Sequence, residues 1–234
     1  MSAVKSPPGQ ARRDRAKATK RRIVTSAYRL FGERGYPATT MEAIAETAKV
    51  AVQTVYFVFR TKAQLLQEVI EVAAAGEHDA APVMERSWMR DALDSADGHR
   101  ALALAVEHGV DIYARVAPLT GAIQAAAASE PNIDAYWRRT ARARRLGMGQ
   151  LIESLDKRGQ LRSRLSADRA SDIIFVLNSH ETVLGLIRDA GWTIPELKAW
   201  LYVTLCEQLL ADPKLPRQAT KDLSFHARLF GQPR

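Results

Sequence analysis

The sequence is poor in the features that mark secreted and membrane proteins. Its 234 residues include one cysteine, Cys206, and no apolar run approaches the roughly 18 to 20 residues that a membrane-spanning helix needs. A single cysteine excludes a disulfide framework, and its apolar helical surroundings predict a buried structural thiol. The first ten residues lack the apolar segment of a signal peptide. These absences predict a cytoplasmic protein that does not engage a membrane.

Residue patterns that carry catalysis or bind metals are also missing. The histidines stand in no HExxH or His-x-His spacing, and neither a GxSxG elbow nor a glycine-rich loop followed by lysine occurs. We therefore predict no catalytic residue, no metal site, no cofactor and no enzymatic activity. The histidines are His78, His99, His108, His180 and His226.

No stretch shows the strict alternation of apolar and polar residues that is typical of strands. Apolar residues recur at helical spacing instead, and glycines and prolines separate the periodic segments. The sequence therefore predicts an all-α fold. Two short helices are expected within residues 39–58, and the others at 15–34, 62–76, 83–95, 99–115, 118–128, 132–158, 167–190 and 194–211.

Positive charge is concentrated at the amino-terminal end. Up to Lys62 the chain has 13 Lys and Arg against 4 Asp and Glu, whereas the remainder has 21 against 22. Such an excess indicates a polyanionic partner, because phosphate neutralisation supplies much of the affinity for DNA. The basic run at residues 11–22 fits either a solvated first turn of a helix or an arm that touches phosphates or the minor groove.

The stretch from Thr39 to Lys62 predicts a helix-turn-helix unit. Thr39 followed by Glu42 has the spacing of a capping box, residues 48–51 can hold the turn, and Val52 begins a second short helix that ends near Val58. Such a unit places its second helix in a DNA major groove.

The second short helix is expected to present one side outward. At 100° per residue, Val52, Gln53, Tyr56 and Phe57 share one arc, while Ala51, Val55 and Val58 lie on the opposite arc, with Phe59 at its edge. Gln53 has the donor and acceptor to read an adenine edge, and Val52 or Phe57 can meet a thymine methyl. Thr40, Tyr56 and Lys62 are suited to phosphate oxygens.

Residues 21–66 resemble the TetR family of bacterial transcriptional regulators. The resemblance implies an all-helical homodimer that binds a palindromic operator and releases it when a small molecule binds. It implies DNA contacts at Thr40, Val52, Gln53, Thr54, Tyr56, Phe57 and Lys62. The matching residues are Ile23, Ala27, Leu30, Phe31, Gly35, Tyr36, Thr39, Thr40, Ile44, Ala45, Ala48, Val50, Thr54, Tyr56, Phe59, Lys62 and Leu65.

Two positions depart from the family pattern. Lys49 stands where the family usually has glycine, and Ala51 where it usually has a serine cap. Losing a serine cap costs about 1 kcal/mol, which tertiary packing can offset. Lys49 is expected either to adopt a left-handed backbone or to reach a phosphate, so we include it among the candidate DNA contacts.

Four segments are expected along the chain. They are a disordered basic arm at 1–14, a three-helix helix-turn-helix domain at 15–78, a larger regulatory and dimerisation domain at 79–212, and a tail at 213–234. The tail, with two prolines and scattered apolar residues, either docks as one short helix or stays loose.

The two longest expected helices, 132–158 and 167–190, carry broad apolar faces. These faces fit either a hairpin core within one chain or a four-helix bundle with a two-fold mate, and the resemblance favours the bundle. The predicted dimer contacts are Met148, Leu151, Ile152, Leu155, Ile173, Ile174, Leu177 and Leu184.

Aromatic, methionine and a few polar side chains of the larger domain fit either a small-molecule pocket or an ordinary helical core. The near-zero charge of this part predicts a neutral to mildly apolar effector. The candidate pocket residues are Met84, Trp88, Met89, His108, Tyr113, Trp137, Phe175, Asn178 and His180.

The sequence thus predicts a DNA-binding transcriptional regulator. The expected form is a homodimeric repressor that binds a palindromic double-stranded DNA operator and is released by a small-molecule effector. Two alternatives remain: an effector-independent regulator or activator, and a non-specific DNA-binding protein.

Overall fold

The computed structural model describes residues 8–76 and 83–214, and within these residues the regular elements are all helices. The predicted all-α fold is confirmed. Among the described helices, none is long and apolar enough to cross a bilayer. The helices are α1 (Pro8–Ala38), α2 (Met41–Ala48), α3 (Val52–Phe59), α4 (Lys62–Ala75), α5 (Ser87–Asp94), α6 (Gly98–Val116), α7 (Thr120–Ser129), α8 (Pro131–Lys157), α9 (Ala167–Leu177), α10 (His180–Leu184) and α11 (Ile194–Leu209).

The chain forms two compact units. Unit 1 comprises the residues up to Val72 together with Leu119–Trp137, and unit 2 comprises Ala73–Pro118 and the residues from Arg138 onward. Residues 119–137, which the sequence assigned to the regulatory domain, therefore group with the helix-turn-helix. The physical reason is the packing of α7 against α1 and a 3.0 Å hydrogen bond from the Tyr36 hydroxyl to Glu130 Oε1. His78, His226 and the predicted segments 1–7 and 215–234 lie outside the described residues.

The core of unit 1 forms around the apolar stripe of α1. The stripe repeats at i, i+4, i+7 and i+8, and its residues are at most 1% exposed, as the periodicity predicted. Packing of α1 against α2 and α7 buries this stripe. The largest buried side chains of unit 1 are Ile23, Leu30, Phe31, Ile44, Leu65, Leu66, Leu119, Ile123 and Ile133.

Gly35 interrupts α1. Its backbone angles, φ 74° and ψ 177°, are not helical, and such a positive φ suits glycine. The interruption leaves carbonyl groups that Thr39, fully buried, can satisfy: its hydroxyl lies 2.7 Å from Gly35 O and 3.1 Å from Leu30 O. The predicted capping role of Thr39 is therefore wrong. Thr40 caps α2 instead, accepting a 3.1 Å hydrogen bond from the Ala43 amide.

The last residues of α4, from Ala73 onward, belong to unit 2, and two arginines of that unit donate hydrogen bonds to their carbonyl groups. Arg115 Nε donates to Ala73 O at 2.8 Å, and Arg86 Nη2 donates to Ala74 O at 3.3 Å. The last carbonyls of a helix lack intrahelical donors, so positive donors are favourable there. Gly76, at φ 73°, follows directly.

The core of unit 2 also contains the single cysteine. Cys206 is fully buried, as predicted, and burial raises the pKa of its thiol to about 12. The thiolate, which is the reactive form, is therefore scarce at neutral pH.

The single helix predicted at 167–190 is wrong. α9 ends at Leu177, Asn178 leaves the helical conformation at φ −93° and ψ 65°, and Ser179 caps α10 by accepting from the Thr182 amide at 3.3 Å. A π-helical turn, Gly185–Asp189, follows α10. No glycine or proline marks this break. Asn and Ser make it because their side chains bond to backbone groups in place of the helix.

Most predicted dimer contacts lie inside the subunit. Met148, Leu151, Ile152, Leu155 and Ile174 are at most 5% exposed and belong to the core of unit 2, so they offer no surface to a partner. Periodicity identified the buried side of each helix but not what covers it. Ile173, Leu177 and Leu184 are half-buried at the margin of that core. Leu146 and Val176 are 66% and 61% exposed.

Candidate nucleic-acid interface

α2, a turn and α3 form the helix-turn-helix within unit 1. The turn depends on Lys49, which ends α2 in a left-handed conformation at φ 54° and ψ 51° and donates its amide to Ala45 O and Glu46 O. The predicted left-handed backbone is thus confirmed. This conformation costs a residue with a Cβ atom about 1–2 kcal/mol. Ala51 precedes α3 and makes no side-chain cap.

Two side chains of α3 are buried, and most of the others are exposed. Val55 and Phe59 are 0% and 5% exposed, and they anchor α3 in the core at i and i+4 spacing. Val58, expected on the packing side, is 37% exposed, because the buried line runs through Val55 and Phe59 and leaves it at the edge.

The outward face of α3 carries the predicted base-reading residues. Gln53 is exposed and Phe57 is 86% exposed, while Val52 and Thr54 are half-buried. A large apolar ring left in water on a short helix indicates a surface that a partner covers. Among the described residues, Phe57 is the most exposed large apolar side chain.

Tyr56 lies beside a carboxylate. Its hydroxyl donates to Glu42 Oε1 at 3.3 Å, which joins α3 to the first turn of α2. Burial and the Glu42 charge raise the pKa of Tyr56, and a backbone hydrogen bond lowers the pKa of Glu42. The phenol therefore stays neutral and can donate to a phosphate only by leaving Glu42. Thr40, also predicted to contact phosphate, is exposed.

Lys62 is half-buried, and its ammonium group is already bonded within unit 1. Nζ donates to Tyr36 O at 2.8 Å and to Thr39 O at 3.0 Å, and it lies 4.2 Å from the centre of the Tyr36 ring. Burial lowers the pKa of Lys62, and the Glu130 carboxylate opposes this effect. Since a lysine has three donors, at most one remains for the predicted phosphate contact.

Arg60 is a candidate contact that the sequence reading missed. It ends α3 at φ 53° and ψ −49°, a strained conformation for a residue with a Cβ atom, and its side chain is exposed. The only signal in the sequence is a basic residue between the last apolar residue of α3 and the cap at Thr61. That cap was predicted and is confirmed, with Thr61 Oγ1 accepting from the Gln64 amide at 3.1 Å.

The predicted effector residues are spread over both units. Trp137 belongs to unit 1, whereas the others belong to unit 2. In unit 2, Trp88 stacks on His108 with ring centres 4.8 Å apart, and Met89 is fully buried. Met84 packs closely against Gly147: a Cβ atom added at Gly147 would lie 2.6 Å from the Met84 sulfur.

Arg144 gathers three of the predicted pocket residues. Its guanidinium carbon lies 5.7 Å from the ring centres of both Tyr113 and Phe175, and Nη1 lies 3.2 Å from His180 Nδ1. Because arginine only donates, Nδ1 is the acceptor, so Nε2 carries the proton and donates to Glu181 Oε1 at 3.0 Å. The sequence predicted a neutral to mildly apolar effector, and Arg144 was not among the predicted pocket residues. Asn178, also buried, donates Nδ2 to Ala105 O at 3.2 Å.

His180 should make unit 2 sensitive to acid. Burial lowers the pKa of His180 from 6.5 to about 4, with Glu181 opposing this shift and Arg144 adding to it. The neutral form is thus favoured on folding. Its stabilising contribution is complete above about pH 6.5 and is lost as pH falls toward about 4. At pH 5 the loss should be about 2 kcal/mol relative to pH 7.5.

Urea unfolding of the natural chain and of His180→Asn at these two pH values measures this loss. Asparagine retains an acceptor for Arg144 but does not titrate, so the stability difference between the two proteins should change with pH by about 2 kcal/mol. A difference that stays constant across the two pH values would contradict the prediction.

No group of three or more potential metal ligands occurs in the described ranges. Unit 1 has three features that suit DNA binding: an exposed face on α3, the turn of a helix-turn-helix, and a basic amino-terminal helix. Together with the all-α fold, they define a helix-turn-helix DNA-binding protein.

Comparison with known proteins identifies the family. The family model described as bacterial regulatory proteins, tetR family, matches residues 23–69. TtgW of Pseudomonas putida, described as an uncharacterized HTH-type transcriptional regulator, is 32% identical over 108 residues, which are 41% of this chain and 78% of TtgW. The chain belongs to the tetR family of bacterial transcriptional regulators.

Two further similarities agree with this assignment. YdeS of Bacillus subtilis, also described as an uncharacterized HTH-type transcriptional regulator, is 29% identical over 164 residues, covering 70% of this chain and 77% of YdeS. The structure of SmeT in complex with triclosan shares the fold, with a TM-score of 0.62 and 18% identity over 86% of this chain and 96% of that one.

Proposed function

We propose that this regulator binds a palindromic DNA operator as a homodimer in the cytoplasm and represses transcription until a small molecule releases it. The observation that carries the proposal is the outward face of α3, where Gln53, Tyr56 and Phe57 are exposed within the basic unit 1. In a two-fold dimer, two such helices would enter major grooves about one helical turn apart.

The dimer surface is proposed on α8 and α9. Leu146 on α8 and Val176 on α9 are large exposed apolar side chains, and Ile173 and Leu177, close to Val176 on α9, are half-buried. An ion pair between Arg145 Nη1 and Asp172 Oδ1, 2.6 Å long, joins the two helices. Ile173 and Leu177 were already predicted, and Leu146 and Val176 take the place of the buried members of that set.

Release is proposed to follow effector binding in unit 2. The site would include the side chains around Arg144, and SmeT, which shares the fold, has been solved with triclosan bound. A neutral to mildly apolar effector remains our expectation. Thermal-shift screening of compound libraries tests it, since stabilisation only by multiply charged compounds would refute it.

Selection of bound fragments from a random DNA library separates this function from its alternatives. A sequence-specific dimer should enrich a palindrome, whereas a non-specific DNA-binding protein should enrich none. Transcription from the selected operator, with and without an effector, then distinguishes a releasable repressor from an activator or an effector-independent regulator.

Gln53→Ala should relax base preference on the selected operator. Glutamine can make two hydrogen bonds to an adenine, so its loss should reduce discrimination at one base pair of each half-site by about 1–2 kcal/mol. Competition binding against operators mutated at each position measures this. Unchanged preference at every position would remove Gln53 from the reading surface.

A further inference from the structure

An open groove lies between α1 and α2 in unit 1. Its volume is about 580 Å³. On α1, its lining residues recur at i, i+3, i+4, i+7 and i+8, and α2 contributes its last turn. The polar lining residues are Arg21, Arg22, Thr25, Ser26, Thr47 and Lys49.

The groove concentrates positive charge. Arg21, Arg22 and Lys49 are exposed, and among the described residues their side chains make no ion pair or hydrogen bond. No carboxylate lines the groove within that part of the chain. By contrast, neighbouring Lys20 pairs with Glu68 at 2.7 Å. Three cations and three hydroxyl groups in the lining of one groove have the composition of a phosphate-binding surface.

Lys49 adds a second observation. It holds the left-handed position that ends α2, where glycine would be free of strain, and it is a charged residue in the lining of the groove. A strained residue with an unpaired charge at a concave surface is better explained by binding than by folding.

We infer that this groove binds phosphate groups of the DNA backbone beside the half-site that α3 reads. This inference rests on the proposed DNA-binding function and extends it to a second contact surface. The contacts would fix register and add salt-dependent affinity without reading bases. Free phosphate has the same chemistry, and the test separates the two sources.

Lys49→Gly is the most informative variant, because its effects on folding and binding should have opposite signs. Glycine relieves the backbone strain, so the Tm should rise by about 2–4 °C. Loss of the ammonium group should weaken operator binding and make the slope of log K against log salt less steep by about one per protomer. The double variant Arg21→Ala/Arg22→Ala removes two cations, so it should make that slope less steep by about two per protomer.

The control is Arg34→Ala. Arg34 is exposed on another side of α1 and carries the same charge, so its removal should leave the slope unchanged. All variants should keep the base preference of the natural chain, measured by competition with mutated operators.

Binding is measured on the selected operator across a salt series, and separately by thermal shift in inorganic phosphate at matched ionic strength. The inference is supported if the groove variants change the salt slope of operator binding while inorganic phosphate causes no specific shift in the Tm. Stabilisation by phosphate that the groove variants abolish, without any change on DNA, assigns the groove to a free anion and overturns it. If the natural chain binds the operator and the groove variants match Arg34→Ala, the inference alone fails. If the natural chain selects no operator, the proposed function fails.

Discussion

Lys62→Met should lower the free energy of unfolding by about 3 kcal/mol in the absence of DNA. The substitution removes two hydrogen bonds from a charged donor to the carbonyls of Tyr36 and Thr39. Such bonds contribute about 1.5–3 kcal/mol each, and we take the lower value because Lys62 is half-buried. It also removes the cation from the face of the Tyr36 ring. Urea unfolding followed by circular dichroism measures the change.

Lys20→Met is the matched control in the same unit. Lys20 forms an ion pair with Glu68 in which both side chains are partly exposed, so its loss should cost less than about 1 kcal/mol. Equal stability of the two variants would show that the Lys62 bonds contribute little. The predicted phosphate contact of Lys62 is tested separately, by the salt slope of operator binding, because stability is measured without DNA.

Phe57→Ala should weaken operator binding by about 1.5–3 kcal/mol for each half-site, without destabilising the protein. The ring is 86% exposed, so the folded state gains little from it, but covering a phenyl ring contributes about this much. In the major groove, the C5 methyl of thymine is the apolar group that such a ring can meet. Titration of a selected operator measures the loss.

Deoxyuridine tests the contact at the level of single atoms. It lacks only the C5 methyl of thymine, so replacing the contacted thymine should weaken binding of the natural chain and have little effect on Phe57→Ala. Phe57→Leu should retain part of the affinity, because leucine keeps an apolar surface. A deoxyuridine operator that weakens both proteins equally would show that Phe57 does not contact a thymine methyl.

The sequence was sufficient for the all-α fold and for the helix-turn-helix because both depend on local signals. The stripe of α1, the cap at Thr61 and the buried Val55 follow from spacing along a single helix. The α2 cap is Thr40 and not Thr39, and this could not be predicted. It depends on carbonyl groups of α1 that the interruption at Gly35 leaves for the Thr39 hydroxyl to bond.

Contacts distant in sequence account for the other differences. The hydrogen bond between Tyr36 and Glu130 joins residues 94 positions apart, and nothing near either residue indicates it. The position of Arg144 among Tyr113, Phe175 and His180 likewise depends on the packing of several helices. An apolar face predicts burial without naming its partner, which is why core residues of unit 2 were taken for a dimer surface.

The buried thiol of Cys206 has a practical consequence. Because the sequence has no other cysteine and this one is inaccessible with a raised pKa, maleimide reagents should leave the native chain unmodified. A cysteine introduced at an exposed position, such as Arg34→Cys, would then be the sole attachment point for a spin probe. Dipolar spectroscopy on that single-site derivative can measure the separation of two copies in solution, with and without added compounds.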